Sequence, residues 1–273
     1  MSQIPTSPPR RTPVHALGAG ALDLVHLLGG LGLLVRDSLG HLLLGPWRRR
    51  PVGMAAFLQQ SVRVGPRALG VVFLVNVFVG MILALIGGNI LETLGFVHYV
   101  GNLMSVGTVL ELGPLLTGVI MTGFIGAALA AEIGTMVVRE EITAIRTMAL
   151  NPVRYVVAPR LLAVVLMVPC LTLLGDWLGI LGGLAVAVGV LDVPASTYFH
   201  QAWAQLGPDD VWRGVLKAAI FGLIIGAVGC WRGFEVQGGA EGVGRATTRA
   251  VVTSILLIVV SDAVLNYFLL FRL

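Results

Sequence analysis

Long apolar runs divided by short polar segments set the pattern of this chain. From Ala68 to Leu91 there is no formal charge, and about 20 apolar residues suffice to cross a bilayer. A first transmembrane helix is predicted there. Similar runs predict a second helix over Leu110–Ala131, a third over Tyr155–Val188 (interrupted by Asp176), a fourth over Val215–Trp231 and a fifth over Val251–Leu270. The runs are continuous, whereas the strands of a membrane barrel alternate apolar and polar residues. Open strands would leave backbone groups unpaired in lipid. The expected fold is an all-α integral membrane protein with about five transmembrane helices. Between the spans, an outer connection is expected around Glu92 to Val109, a polar loop around Asp192, His200, Asp209 and Asp210, and a glycine-rich loop over Arg232–Arg249.

The N-terminal region has a different pattern. Residues 1–14 are rich in Pro, Ser, Thr and Arg and are expected to form a disordered arm. No cleavable signal is expected, because the next apolar stretch is interrupted by Asp23, His26, Arg36 and Asp37. Within 15–50, Asp23, His26, Gly30, Asp37 and His41 share a narrow arc of a helical wheel, with Leu28, Val35, Leu39 and Leu42 roughly opposite. This predicts a helix lying in the membrane interface, or else one packed on its neighbours. Trp47 and Arg48, Arg49 and Arg50 follow as an interfacial anchor. Residues 51–273 then form the membrane domain.

Composition supports the class. Hydrophobic residues make up 56% of the 273 and charged residues 12%, against about 25% charged in soluble domains. The pI near 9.6 does not signal nucleic acid, because the arginines sit at segment ends with no basic tract interleaved with aromatics. They also set the topology. The N-terminal region, the segment after the second span and the 232–249 loop carry most arginines, and the 92–109 and 192–212 loops carry none. The positive-inside rule places the N-terminus in the cytoplasm and, with five spans, the C-terminus outside. Arg213 and Lys217 run against the rule. Cys170 and Cys230 lie in apolar runs and read as core residues.

Several chemistries are excluded. Lys217 is the only lysine and is flanked by Val-Leu and Ala, so there is no phosphate-binding loop. The scattered histidines and the lack of paired zinc-ligand or nucleophile-elbow motifs argue against a metalloenzyme or serine hydrolase. No catalytic residue, cofactor or metal is expected. Glu111, Asp176, Lys217 and Asp262 lie inside or at the edges of spans, where a charge costs about 2.5 kcal/mol or more at a helix centre. They are candidates to line or gate a substrate path, with Lys217 pairing a carboxylate; the alternative is a purely structural ion pair. Small residues recur every four positions at Gly118, Thr122, Gly126, Ala130 and Gly134, at Gly175, Gly179 and Gly183, and at Gly222 and Gly226. Such ridges permit close packing within the chain or at a subunit or sliding interface.

The segment Ala131–Arg160 is a compact charged island. Val138, Ile142, Ile145 and Ala149 recur at helical spacing, with Arg139, Thr143 and Arg146 beside them. A short helix is expected from Glu132 to Met148, stopped by Asn151-Pro152. It could dock on a soluble partner, or merely return the chain to the membrane.

The stretch Glu111-Leu-Gly-Pro114, the run Gly126–Met136, Glu140–Met148, Asn151-Pro152 and Arg154–Arg160, with Gly244-Arg-Ala-Thr-Thr-Arg-Ala-Val-Val252 and Asp262, resembles the MlaE (YrbE) family of ABC transporter permeases. The likeness runs from about residue 50 to the end. Leu110 stands where the family often has arginine, Gly123-Phe124-Ile125-Gly126 where it has Gly-Arg-x-Gly, Glu141 for glutamine and Asn151 for aspartate. The resemblance implies a homodimer in a bacterial inner membrane, bound to cytoplasmic ATPase subunits and to an MCE-domain protein on the outer face, moving phospholipid or a related lipid. It assigns ATPase coupling to the island, with Glu132, Arg139, Glu140, Glu141 and Arg146 as candidates. An ion-coupled secondary transporter would instead show broken helices and repeated halves; no convincing repeat is present. A non-transporting membrane scaffold would need no intramembrane charge.

Overall fold

The structure, a computed structural model, describes residues 13–44 and 54–271, and side chains within 25–40 and 55–269. Nearly all of the predicted arm, the Trp47–Arg50 anchor and the side chains of Asp23, His41 and Leu42 lie outside the described residues. Among the described residues, eight helical segments follow one another: α1 (Pro13–Leu44), α2 (Met54–Thr93), α3 (Val97–Val138), α4 (Glu141–Thr147), α5 (Val153–Gly189), α6 (Ala195–Gln205), α7 (Pro208–Phe234) and α8 (Gly239–Phe271). No strand occurs among the described residues. Helices α2, α3, α5, α7 and α8 are long and apolar enough to span a membrane, so the chain is a multi-pass, all-α membrane protein.

The spans alternate in direction, which brings Arg63, Arg160, Arg232 and Arg245 to one end of the bundle. Helices α5 and α7 occupy its centre and α2 and α8 its margins. Phe73, Leu74, Phe78, Ile82 and Ile86 of α2 are exposed, as are Leu256, Val259, Val260 and Val264 of α8. Apolar side chains on such faces meet lipid or another subunit without the cost they would carry in water.

The glycine ridges resolve into contacts within the chain. Gly80 of α2 abuts the Gly179 carbonyl of α5, and Gly182 abuts the Val77 carbonyl. Gly222 and Gly226 seat α7 against Val164, Val168 and Leu161, while Gly229 approaches the Gly126 backbone. Without side chains between them, backbones approach closely enough for dispersion to hold helices together in lipid.

Helix boundaries differ from the hydropathy reading in a consistent direction. The expected start at Ala68 moves back to Met54, and the helix passes through Pro66. Polar residues there break the apolar run but not the helix, because Arg63 finds a carboxylate on α3. The expected outer connection holds the first turns of α3. The expected polar loop contains α6, whose Tyr198 is wholly buried and donates to the Ile180 carbonyl at 2.7 Å; burial pushes its phenol above the usual range. The expected glycine-rich loop shrinks to a tight turn at Gly238 and Gly239, both with positive φ, before α8 begins. Hydropathy detects the lipid-spanning part of each helix, and the polar extensions beyond it leave no such signal.

Helix α1 presents three stripes rather than two. Leu28 and Leu39 are exposed as expected, but Leu27, Leu31, Leu34 and Ser38 are buried against the bundle. Gly30 lies directly on the Trp231 indole, whose ring centroid is 5.8 Å from that of His26. The helix therefore packs on its neighbours while retaining an outer apolar stripe.

Candidate functional site

The second span carries the feature that builds the site. Residues Thr108–Leu112 form a wide π turn, in which the Gly113 N–H reaches back to the Thr108 carbonyl. The Leu110 carbonyl would normally accept from residue 114, but Pro114 has no N–H. A carbonyl orphaned in a membrane span needs another donor. Lys217, entering from α7, supplies it: Nζ donates to Leu110 O at 2.9 Å.

The same ammonium donates to Glu111 Oε2 at 2.6 Å and to Asn266 Oδ1 at 2.9 Å, and lies 2.8 Å from Asp262 Oδ1. The Asn266 amide turns its nitrogen to Glu111 Oε1 and Oε2 at 3.1 and 3.0 Å, and to Asp262 Oδ2 at 3.4 Å. One cation thus sits between two carboxylates, and helices α3, α7 and α8 are tied at a single point. The Lys217 and Asp262 side chains are only 2% and 8% exposed, but Glu111 is 39% exposed. Glu111 is the open edge of an otherwise sealed network. The Lys217 protons are all engaged, and Arg213 faces Asp210 at 3.8 Å, so neither is a free cation at this level.

Asp176 is apart from this network. It lies on α5 against the Cα of Gly113, one side of the π turn away from Glu111, and its Oδ1 is buried without a partner. Only glycine fits at 113, since a Cβ there would overlap the Asp176 carboxyl. Three of the four predicted intramembrane residues therefore meet and the fourth does not. Asn266 was missed because it carries no charge; its place one turn after Asp262 was the available signal. The role of Pro114 was legible only with the partner helix in place.

At the arginine-rich end, Glu132 belongs to α3 rather than to a helix shared with the island. It faces Arg160 and Arg63, each at 3.4 Å. The expected continuous helix Glu132–Met148 is divided at Arg139 and Glu140, the latter in the left-handed region at φ 61. Helix α4 then runs only from Glu141 to Thr147, and Ala149 (φ 58) ends it before Asn151 is reached. Asn151 instead opens α5: its Oδ1 accepts the Val153 N–H at 2.9 Å, with Pro152 in the first turn. Periodicity registers the apolar repeat but not two backbone reversals. Arg139, Glu140, Glu141 and Arg146 sit on or beside α4, with Ile142 buried beneath it. A groove of about 440 Å³ between α4 and α1 is lined by Leu34, Asp37, Arg146, Pro152 and Trp231.

The Glu132 junction yields a graded expectation. Exposed ion pairs contribute about 0.2–1 kcal/mol. Arg160 is 19% exposed and Arg63 47%, so double-mutant cycles with Glu132→Gln should give the larger coupling to Arg160→Gln. Equal or greater coupling to Arg63→Gln would contradict this ordering.

A five-span helical bundle with a membrane-buried charge network and a short exposed helix between its second and third spans is the architecture of a membrane transport subunit. The sequence comparisons specify it: the chain matches the family model described as Permease MlaE over residues 57–268, and it belongs to that family of ABC transporter permeases. A probable ABC transporter permease of Rickettsia prowazekii (strain Madrid E) is 34% identical over 247 residues, covering 88% of this chain and 95% of that one. One from Rickettsia bellii (strain RML369-C) is 37% identical over 248 residues, covering 91% and 94%. The Arabidopsis thaliana protein TRIGALACTOSYLDIACYLGLYCEROL 1, chloroplastic, is 35% identical over 211 residues, covering 77% of this chain and 60% of that one. Membership implies an ATPase partner, and does not favour the secondary-transporter or scaffold readings.

Proposed function

We propose that this chain is the membrane subunit of a lipid transporter of a bacterial inner membrane, working as a homodimer with two cytoplasmic ATPase subunits and an MCE-domain protein on the outer face. The observation that carries the reading is helix α4, a short charged helix standing between two spans with Ile142 buried beneath it. Such a helix meets the needs of coupling: it is exposed, its register is held by Ile142, and Arg139, Glu140, Glu141 and Arg146 give it charges for a groove. Glu132 contributes by anchoring the end of α3 to α2 and α5. The name of the Arabidopsis relative is that of a diacylglycerol lipid, which favours lipid as the substrate class.

In this reading the arginine-rich end faces the cytoplasm, the C-terminus lies outside, and the exposed apolar faces of α2 and α8 border a cavity shared by two copies that accepts acyl chains. Phospholipid or a related lipid passes along it. Glu111 is the group of the Lys217 network nearest to such a path, and Asp176 stands behind it. ATPase closure would move α4 and, through α3, the π turn that carries Glu111.

Charge reversal at Glu140 or Arg146 tests the coupling role. Co-purification of the ATPase should fall several-fold while the permease remains monodisperse. An intact complex with normal ATPase stimulation would overturn the assignment. Mass spectrometry of lipids retained by the purified complex tests the substrate class, and absence of any retained lipid in wild type would count against it.

A further inference from the structure

The arginine-rich end contains a second site that the transport reading does not use. A cavity of about 890 Å³ lies where α1, the end of α7 and the first turns of α8 meet. That is within the range of about 300–1,000 Å³ usual for ligand sites. Its wall carries Arg232, Arg245 and Arg249, opposed within the lining by Glu235 alone, and His26 and Leu27 close it from α1.

The arginines are incompletely matched by the protein. Arg232 donates to Glu235 at 2.8 Å through one terminal nitrogen and to Thr253 Oγ1 at 3.3 Å through the other, and its Nε is buried without an acceptor. Arg245 reaches Glu241 on its own helix, where both side chains are more than half exposed and the pair is weak. Arg249 has no ion pair or hydrogen bond among the described residues. It lies one turn beyond Arg245, and like charges at that spacing repel. Three guanidinium groups set against two carboxylates, Glu235 and Glu241, leave one positive charge unanswered, and planar donor forks suit phosphate oxygens.

The position of the cavity selects the source of the anion. It stands where two membrane-spanning helices, α7 and α8, meet at their ends. Leu27, Val236 and Ala246 are apolar parts of its lining. On the same α1 helix Val25 and Leu28 are exposed beside it, as suits a helix in the interface. Basic pockets between transmembrane helices recognise the heads of anionic lipids. We propose that this cavity binds the phosphate-bearing headgroup of an anionic membrane phospholipid, held by Arg232, Arg245 and Arg249. The bound lipid is resident: it lies at the opposite end from the Lys217 network and joins α1 to the α7–α8 hairpin.

Native mass spectrometry of the delipidated full chain tests this, with phosphatidylglycerol and phosphatidylcholine of equal chain length as competing probes. Wild type should retain one phosphatidylglycerol per chain with about tenfold preference or more, given about 1 kcal/mol per basic group near a membrane surface. Arg245→Gln/Arg249→Gln, both surface changes, should bring the preference near parity. Arg249→Lys should retain part of it, and Glu111→Gln should leave it intact. No preference in wild type, or an unchanged preference in the double variant, would overturn the proposal. Displacement by millimolar inorganic phosphate would overturn it in favour of a soluble anion. Loss of ATPase co-purification in the double variant with the lipid adduct unchanged would overturn it in favour of an acidic protein segment.

Discussion

Lys217→Met should destabilise the purified chain by about 3–5 kcal/mol, the range for removing one member of a buried ion pair. The substitution keeps most of the side-chain volume but removes the ammonium that lies 2.6 Å from Glu111 and 2.8 Å from Asp262. Two carboxylates are then left facing each other, and the Leu110 carbonyl loses its donor. Thermal unfolding in detergent would read the loss. A triple variant, Glu111→Gln/Lys217→Met/Asp262→Asn, removes the uncompensated charges and should recover more than half of the lost stability. Lys217→Arg should not substitute well, because a planar fork cannot reproduce a compact ammonium contacting four oxygens. If the single variant melts like wild type, the network is not what holds α3, α7 and α8 together. If the triple variant is stable yet inactive in transport, the charges serve more than the fold.

The second large effect concerns the α2–α5 crossing. A Cβ at Gly80 would overlap the Gly179 backbone, and one at Gly182 would overlap the Val77 carbonyl. These obstacles are backbone, which cannot rotate aside, so overpacking should cost at least the typical 1–3 kcal/mol. Gly80→Ala and Gly182→Ala are each expected to lower the melting temperature, and Gly182→Leu to prevent recovery of a folded chain. Gly70→Ala is the control of opposite sign. It lies on the same helix with nothing within 4 Å of its Cβ position, and replacing helical glycine with alanine contributes about 1 kcal/mol of stability. Equal destabilisation at positions 70 and 80 would mean that the close crossing is not what makes glycine necessary.

These two tests mark the two kinds of information in the chain. The glycine periodicity was readable without a structure, because a four-residue repeat of small side chains stays on one helix face. Which helix it meets was not readable. The Gly175 and Gly179 repeat was equally compatible with a neighbouring subunit, and only the fold places it on α2. Similarly, the cost of charge in lipid singles out Glu111, Asp176, Lys217 and Asp262 from their positions alone. Their pairing depends on the rotation of three helices about their axes, which the π turn at Thr108–Leu112 alters. A reading at regular helical spacing has no means of sensing that turn.

The island shows the same division. Its charge, its place between two spans and its apolar repeat were all legible, and they marked it as the segment most suited to meeting a partner. Its subdivision was not. Glu140 and Ala149 adopt left-handed backbone although neither is a residue type that favours it, so the strain is imposed by the surrounding packing. Glu132 accordingly stands outside α4, in the junction with Arg63 and Arg160.

By itself, then, the sequence determined that this protein is an all-α membrane bundle of five spans, which end carries the arginines, and which residues pay to be charged in lipid. Those properties follow from solvation, which acts on each residue or short window independently. Tertiary structure alone decided that Lys217 unites Glu111, Asp262 and Asn266 while Asp176 stands apart, that Pro114 frees a carbonyl for that lysine, and that three arginines surround one cavity. Those properties depend on distances between residues remote in the chain, and such distances are set by how the helices pack.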